Sequence, residues 1–318
     1  MKQKIFISGA NGFVGITLAR LLDFPENELY GTSFPHKPKA LGLKCRNDIR
    51  YLDIRRERDI TEFIKEIRPH RVFHLAAVSN VSRSWEKRQE TIETNILGTQ
   101  HIFEALRIYS PQARILFVSS SDVYGDTSID DRALCEDDDT KALSPYAYSK
   151  IGGELLSRFY TDVEGLHIVI ARSFPHTGPG QSPDFVCSDW AYQIAKIEEG
   201  SKEPVMQVGN IEVKRDFSDV RDVVKAYAQL VEKGRKGEVY NVASGKAVSL
   251  QKILDMLLSF SSCSIKVQVD LQRLRKKDIL CLRGNNSKIQ KETGWEPEIS
   301  LRQTLEDLLE YWRNEKNS

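Results

Sequence analysis

Ile5-Phe6-Ile7-Ser8-Gly9-Ala10-Asn11-Gly12-Phe13-Val14-Gly15 is the stretch that decides the fold. A short apolar run meets three glycines at GxxGxxG spacing, and apolar residues then recur at helical spacing over 13–22. Gly9 permits a tight turn. Gly12 lets a pyrophosphate approach bare backbone at a helix N-terminus, where free N–H groups and the helix dipole favour anions. Gly15 lets the helix lie close to the strand. A strand before this loop and a helix after it predict the first βαβ unit of a dinucleotide fold, with Gly9, Asn11, Gly12, Phe13, Val14 and Gly15 against the cofactor.

Outward from that loop, the first half alternates short apolar runs with longer helical patterns. Strands are expected at 4–8, 28–32, 71–75, 113–119 and 167–171, and helices at 60–67, 91–109 and 146–160. Near-continuous apolar strands in β-α-β order predict an α/β fold, a Rossmann-type parallel sheet with helices on both faces. After residue 173 a stretch rich in Pro, Gly and Ser breaks the pattern. Helices at 188–199, 219–233, 250–259 and 301–313 and a strand at 238–242 follow. The expected division is 1–172 for the cofactor and 173–318 for a smaller mixed α/β unit, with some segments crossing back.

Composition narrows the class. Lys+Arg is 46 and Asp+Glu is 45 in 318 residues, a net charge of +1, which argues against nucleic-acid binding by bulk charge. No run approaches the length of a membrane-spanning helix, and the N-terminal apolar run is too short for a signal peptide. Five cysteines with no CxxC pair argue against a disulfide framework or a structural zinc site. The expectation is a cytoplasmic protein with no bound metal, no membrane partner and no nucleic-acid partner.

The segment Leu29-Tyr30-Gly31-Thr32-Ser33 lacks the acid that an NAD-selective site places at the end of the second strand. Thr32 and Ser33, followed by His36, Lys37 and Lys39, suit a 2′-phosphate, so NADP is favoured and NAD stays possible; Lys39 itself reads better as an exposed loop charge. Asp53, after a third strand in Tyr51-Leu52-Asp53-Ile54, either accepts from an adenine amino group or caps the next helix.

Tyr146-Ala147-Tyr148-Ser149-Lys150 puts a phenol and an ammonium four apart on one helix face. A nearby Lys⁺ is expected to lower the Tyr146 pKa and ready it for proton exchange with a sugar hydroxyl or carbonyl. Alone, YxxxK is weak. Val118-Ser119-Ser120-Ser121-Asp122-Val123-Tyr124-Gly125 supports it, because a serine at the C-terminal end of a buried strand sits where open α/β sheets place ligands.

Together, GxxGxxG, SSSDVYG and SPYxxSK resemble the extended short-chain dehydrogenase/reductase family in its nucleotide-sugar branch. His74-Leu75-Ala76-Ala77 and Asn95-Ile96-Leu97-Gly98-Thr99 match it too, and the likeness spans nearly the whole chain. The resemblance implies Ser120 as the catalytic hydroxyl, Tyr146 as general acid/base, and Lys150 as holder of the cofactor ribose and tuner of Tyr146. Asp122 falls where dehydratases of the branch carry a Glu base; a loop-stabilising role is equally open. Ile54, Leu75, Ala76 and Ala77 are implied in cofactor binding, with Asp53.

Phe174-Pro175-His176-Thr177-Gly178-Pro179-Gly180-Gln181-Ser182 resembles the segment of GDP-6-deoxy-4-keto-D-mannose reductases, and the Val208-Gly209-Asn210 and Arg215-Asp216-Phe217 segments match the same group. The resemblance implies a GDP-sugar substrate, lined by Ser79, Ser84, Ser121, His176, Gln181 and Val208. Arg215 and Arg275 would meet the phosphates and Asp278 the ribose. Pro175 stands where the family has Asn, which removes one expected polar contact. The proline that the family carries after the Arg275 position is absent too. The function implied is NADPH-dependent reduction of a C4 ketone to GDP-D-rhamnose by a homodimer paired through 91–109 and 146–160. The rivals are a GDP-mannose 4,6-dehydratase, a 4-epimerase and a cofactor-binding regulator without catalysis.

Overall fold

The computed structural model describes residues 2–38, 40–126, 132–273 and 279–315. Its centre is a seven-stranded parallel sheet. We label six of its strands in chain order: β1 (Gln3–Ser8), β2 (Asn27–Ser33), β3 (Arg46–Tyr51), β4 (Arg71–His74), β5 (Arg114–Ser120) and β6 (His167–Ser173). The strand Val239–Val242 completes it, and the spatial order is Val239–Val242, β6, β5, β4, β1, β2, β3. Strand order reverses between β1 and β4, which opens a crevice at the carboxyl ends of those strands.

Each face of the sheet carries its own apolar core. Leu18 and Ala19 of the first helix, Phe13–Leu21, join Val223, Tyr227 and Leu230 of the helix Val220–Lys233 on one face. Ile60, Phe63 and Ile64 of the helix Glu57–Ile67 join Ile102, Phe103 and Leu106 of the helix Gly98–Tyr109 on the other. Both faces are covered, so β1 buries Ile5, Phe6 and Ile7 in unbroken succession rather than alternately.

A separate core, with Trp190, Ile194, Met206, Leu254 and Leu308, builds the smaller unit. The chain passes between the units repeatedly. It leaves the sheet after Ser173, returns for Val220–Lys233 and Val239–Val242, and leaves again for 247–273 and Cys281–Leu282. It returns once more to seat Ile289 and Trp295 in the first core, and ends with Leu301–Asn314 in the second.

Two local expectations are corrected. The third strand is Arg46–Tyr51, so Asp53 follows it as expected, but it starts upstream of the Tyr51-Leu52-Asp53-Ile54 segment. It is an edge strand with Arg46, Asn47 and Asp48 in it, so it has no apolar run to announce it. The helix expected at 91–109 is three segments, Arg88–Ile92, a π-helical turn Glu93–Leu97 and Gly98–Tyr109. The widened turn places Asn95 against the helix Pro145–Asp162. Among the described residues no helix is long and apolar enough to cross a membrane, and no cluster of metal-binding side chains occurs.

Candidate active site

The glycine loop begins the site. Gly9 has φ +75, donates its N–H to Thr32 Oγ1 at 3.3 Å and accepts from the Gly12 N–H at 3.0 Å. A Cβ on Gly9 would lie 3.1 Å from the Ala76 nitrogen, so the turn after β4, Leu75-Ala76-Ala77, abuts the loop. A Cβ on Gly15 would fall 2.2 Å from the Gly9 oxygen. The first helix therefore lies as close to β1 as backbone allows. Gly12 caps this helix with no side chain, and no acid stands in its first turn. A bare, uncapped helix start beside β1 fits a dinucleotide pyrophosphate. Phe13, on the same loop, stacks on His176 with ring centroids 6.3 Å apart and planes 9° from parallel.

The adenosine end differs from expectation in detail. Thr32 and Ser33 are buried and already engaged, Thr32 by the Gly9 N–H and Ser33 by donating to the His36 carbonyl at 2.7 Å. His36 and Lys37 are exposed beside them, and Lys39 lies outside the described residues. Asp53 does not cap the next helix, whose N-cap is Arg56. It forms an ion pair with Arg55 at 2.6 Å. Burial pushes the Asp53 carboxyl up, but the Arg55 bonds outweigh it and hold it below its ordinary value. Ile54 turns its side chain into the core against Gly98, which leaves only its backbone to face a cofactor.

Tyr146 and Lys150 stand on the helix Pro145–Asp162. Ser144 caps that helix by accepting from the Ala147 N–H, and Ser84 Oγ accepts from the Tyr146 N–H at 3.2 Å. Both hydroxyls satisfy donors that a helix start leaves orphaned. Lys150 donates from Nζ to the Val118 carbonyl at 2.8 Å and lies 5.9 Å from the Tyr146 ring centroid. Ser120, the last residue of β5, caps the short turn Ser121–Tyr124. It accepts from the Asp122 N–H at 3.2 Å and donates to Asp122 Oδ2 at 3.1 Å.

The electrostatics correct one expectation. Tyr146 is pushed above its ordinary pKa, first by burial and then by the Asp122 charge, while a hydrogen bond with Ser120 pulls the other way. Lys150 does not lower it in this geometry. Burial instead lowers Lys150 itself to about 8, partly opposed by Glu154. At neutral pH the site holds a neutral phenol and a mostly protonated amine, a proton donor rather than a ready base.

Behind these groups lie two buried networks absent from the sequence reading. Ser8 Oγ accepts from the Leu75 and Ala76 N–H groups, both at 3.1 Å, so its own proton goes to His74 Nδ1 at 2.7 Å. Thr99 donates to the Asn95 carbonyl, so His74 Nε2 carries the proton that reaches Thr99 Oγ1 at 2.8 Å. Burial lowers His74 to about 3, with the Lys150 charge acting the same way. Asn95, in the π-helical turn, holds both backbone groups of Val78 and donates to Ser149 Oγ at 2.8 Å. Ser149 then donates to the Tyr146 carbonyl at 2.7 Å. In the second network Arg172 makes a two-pronged pair with Glu154 at 3.0 and 2.9 Å, and Ser119 donates to the same carboxylate at 2.5 Å.

The expected substrate residues divide. His176 lies beside the glycine loop; burial lowers its imidazole, and Nδ1 donates to the Phe174 carbonyl at 3.0 Å. Arg215 lies on the strand Lys214–Asp216, where Nη1 donates to the Ile279 carbonyl at 2.7 Å. Ser79 is exposed near the β4 end, and Ser121 is buried beside Ser120. Three are corrected. Ser84 is fully buried and donates to the Val81 carbonyl, so it positions the Tyr146 helix instead of lining a sugar. Gln181 spends both ends of its amide on Thr177 and the His176 carbonyl, tying up its own loop. Val208 is fully buried in the second core. Arg275 and Asp278 lie outside the described residues.

A family profile described as GDP-mannose 4,6 dehydratase matches residues 6–308. The chain is 32% identical over 315 residues to GDP-6-deoxy-D-mannose reductase of Pseudomonas aeruginosa, covering 99% of this chain and 98% of that protein. It is 23% identical over 356 residues to GDP-mannose 4,6-dehydratase of Vibrio cholerae, covering 97% and 93%. The solved structure of RMD from Pseudomonas aeruginosa complexed with NADPH superposes with a TM-score of 0.85 at 30% identity, covering 98% of this chain and 99% of that one.

Proposed function

From the premise that this chain belongs to the GDP-mannose 4,6 dehydratase family, we propose that it is an NADPH-dependent reductase. Its substrate is GDP-4-keto-6-deoxy-D-mannose and its product GDP-D-rhamnose. The observation that carries the reading is the meeting of Ser120, Asp122, Tyr146 and Lys150 at the carboxyl end of β5, with Tyr146 held as a proton donor. The likeness to the Pseudomonas reductase supports the choice of sugar.

NADPH, when bound, supplies the hydride. Gly9, Asn11, Gly12, Phe13, Val14 and Gly15 would hold its pyrophosphate, and Lys150 its ribose. The chain does the rest. Tyr146 gives its proton to the C4 oxygen as charge develops there. Ser120 turns its hydroxyl proton from Asp122 to the same oxygen and stabilises it. Lys150, its amine held by the Val118 carbonyl, stays mostly protonated below about pH 8 and so is able to donate to the ribose. Arg215 meets the diphosphate from the smaller unit.

The dehydratase reading rests on Asp122 beside Ser120, where it would take the C5 proton. One experiment separates the two. The protein is incubated with NADPH and GDP-4-keto-6-deoxymannose, and separately with GDP-mannose alone. Stoichiometric NADPH oxidation in the first is expected. A keto product from the second, without NADPH use, sinks the reductase. A C4 epimer from either arm indicates an epimerase, and cofactor binding without turnover a regulator.

We also propose that two copies pair through the helices Gly98–Tyr109 and Pro145–Asp162. In support, Leu97, Ile108, Tyr148, Leu155, Phe159 and Val163 stand exposed on or beside those helices, with Leu155 62% and Val163 67% accessible. An apolar surface of this kind on a monomer calls for a partner. Five free cysteines suit a reducing, cytoplasmic setting.

A further inference from the structure

Ser173 ends β6, one strand away from Ser120, and has no part in the proton transfers of Tyr146 and Ser120. We propose that Ser173, oriented by Tyr227, binds the carboxamide of the nicotinamide and so sets that ring against the site of hydride transfer. The proposal rests on NADPH as the cofactor and not on which sugar is reduced.

Side-chain alternation along the strand places this hydroxyl. Arg172 points to the sheet face that carries the helix Pro145–Asp162, where it pairs with Glu154. Ser173, the next residue, points to the other face, as Val169 and Ala171 do; that face carries the first helix and Val220–Lys233. There its Oγ meets the Tyr227 hydroxyl at 2.5 Å. β5 and β6 are parallel neighbours, with Ser120 in register with Ser173. Ser119 donates to Glu154, so the same alternation turns Ser120 to the face of Ser173. Two adjacent strands therefore end in two hydroxyls side by side, their backbones roughly 5 Å apart.

The Ser173–Tyr227 bond uses one of the two hydroxyl protons. Tyr227 is fully buried, and among the described residues its hydroxyl has no other bond. With Ser173 as donor, the Tyr227 proton would be buried without an acceptor, which is costly. Tyr227 therefore donates, and the Ser173 proton is left over. Ser173 is only 6% exposed, and among the described residues nothing accepts that proton. The C4 oxygen of a sugar is already served by Tyr146 and Ser120. Ser173 stands on the sheet face of the glycine loop, and the segment after it returns to that loop, where His176 stacks on Phe13. A dinucleotide laid from the glycine loop toward Ser120 would bring its nicotinamide to the ends of β5 and β6. The carboxamide oxygen is the only oxygen on that ring, and it is an acceptor.

Ser173→Ala removes the donor, and Tyr227→Phe removes the group that orients it. The probes are NADPH and 2′-phospho-ADP-ribose, which lacks the nicotinamide, each titrated calorimetrically. Ser173→Ala is expected to raise the NADPH Kd about fivefold and to leave that of 2′-phospho-ADP-ribose within about twofold of wild type. Tyr227→Phe is expected to raise the NADPH Kd about twofold. The double variant should lose no more than Ser173→Ala alone, since Tyr227 acts through Ser173. Equal losses for the two probes, or an unchanged NADPH Kd in Ser173→Ala, overturn the inference. A raised KM for the sugar at an unchanged NADPH Kd assigns Ser173 to the substrate and overturns it too. If wild type reduces no GDP-4-keto-6-deoxymannose, the reductase reading fails by itself, since neither titration needs a sugar.

Discussion

Replacing Gly12 and Gly15 one at a time should separate the cofactor cradle from the fold. A Cβ on Gly15 would lie 2.2 Å from the Gly9 oxygen and 2.8 Å from the Ala10 Cα. Both are backbone atoms, so the first helix would have to lift from β1. Overpacking of this kind costs about 1–3 kcal/mol. In a chain this long that corresponds to a Tm lower by roughly 2–6 °C. Gly12 is different. Its backbone is extended, with φ −76 and ψ 167, which alanine adopts freely, and its Cβ would approach only the Gly9 oxygen, at 3.2 Å. Gly12→Ala should therefore melt within about 2 °C of wild type. Its methyl group, however, stands where a pyrophosphate needs bare backbone. We expect the NADPH Kd to rise at least about tenfold, roughly 1.4 kcal/mol. The assay is a fluorescence titration with NADPH beside a thermal melt of the cofactor-free protein. Wild-type NADPH affinity in Gly12→Ala refutes the cradle. A wild-type melt in Gly15→Ala refutes the close packing.

Arg172→Met leaves Glu154 buried without its cation and should cost about 3–5 kcal/mol by urea unfolding, while Arg172→Met with Glu154→Met recovers most of it; an undiminished loss in the double variant argues against the pair as its cause. His74 has a folded pKa near 3 against about 6.5 unfolded. The unfolded chain thus binds the proton first, and the stabilisation is complete above pH 6.5 and is lost as pH falls toward 3. A decline of about 2 kcal/mol between pH 6.5 and 5 is expected from this group, absent in His74→Gln; equal slopes in both proteins contradict it. Leu155→Glu with Phe159→Glu should convert a dimer to a folded monomer in sedimentation, and a variant that sediments like wild type removes that helix face from the interface.

The parts of the site that were legible in the sequence are those whose meaning lies in short spacing. Gly9, Gly12 and Gly15 are separated by three, and Tyr146 and Lys150 by four, so one turn or one helix face brings each set together. The buried strands β1 and β5 announced themselves for the same local reason, as apolar runs. β3 did not, because an edge strand can be polar. Ser84 and Gln181 were misassigned for a chemical reason: a hydroxyl or amide that binds a ligand looks, in sequence, like one that satisfies backbone. His74 with Ser8, Asn95 with Ser149, and Arg172 with Glu154 were invisible, since each pair is joined only by the folded sheet.

The repeated passage of the chain between its two units has a consequence for how it can be made or cut. The sheet lacks its seventh strand until Val239–Val242 has been synthesised, and lacks Ile289 and Trp295 until nearly the end. The smaller unit waits for Leu305, Leu308 and Leu309, within the last turns of the chain. A fragment ending at residue 172 would expose the edge of β6 and the part of one sheet face that Val220–Lys233 covers. On the ribosome neither unit can finish until nearly the whole chain is made, and a truncated message should yield an aggregating chain rather than a free nucleotide-binding half. Each unit is thus completed by chain that lies beyond parts of the other.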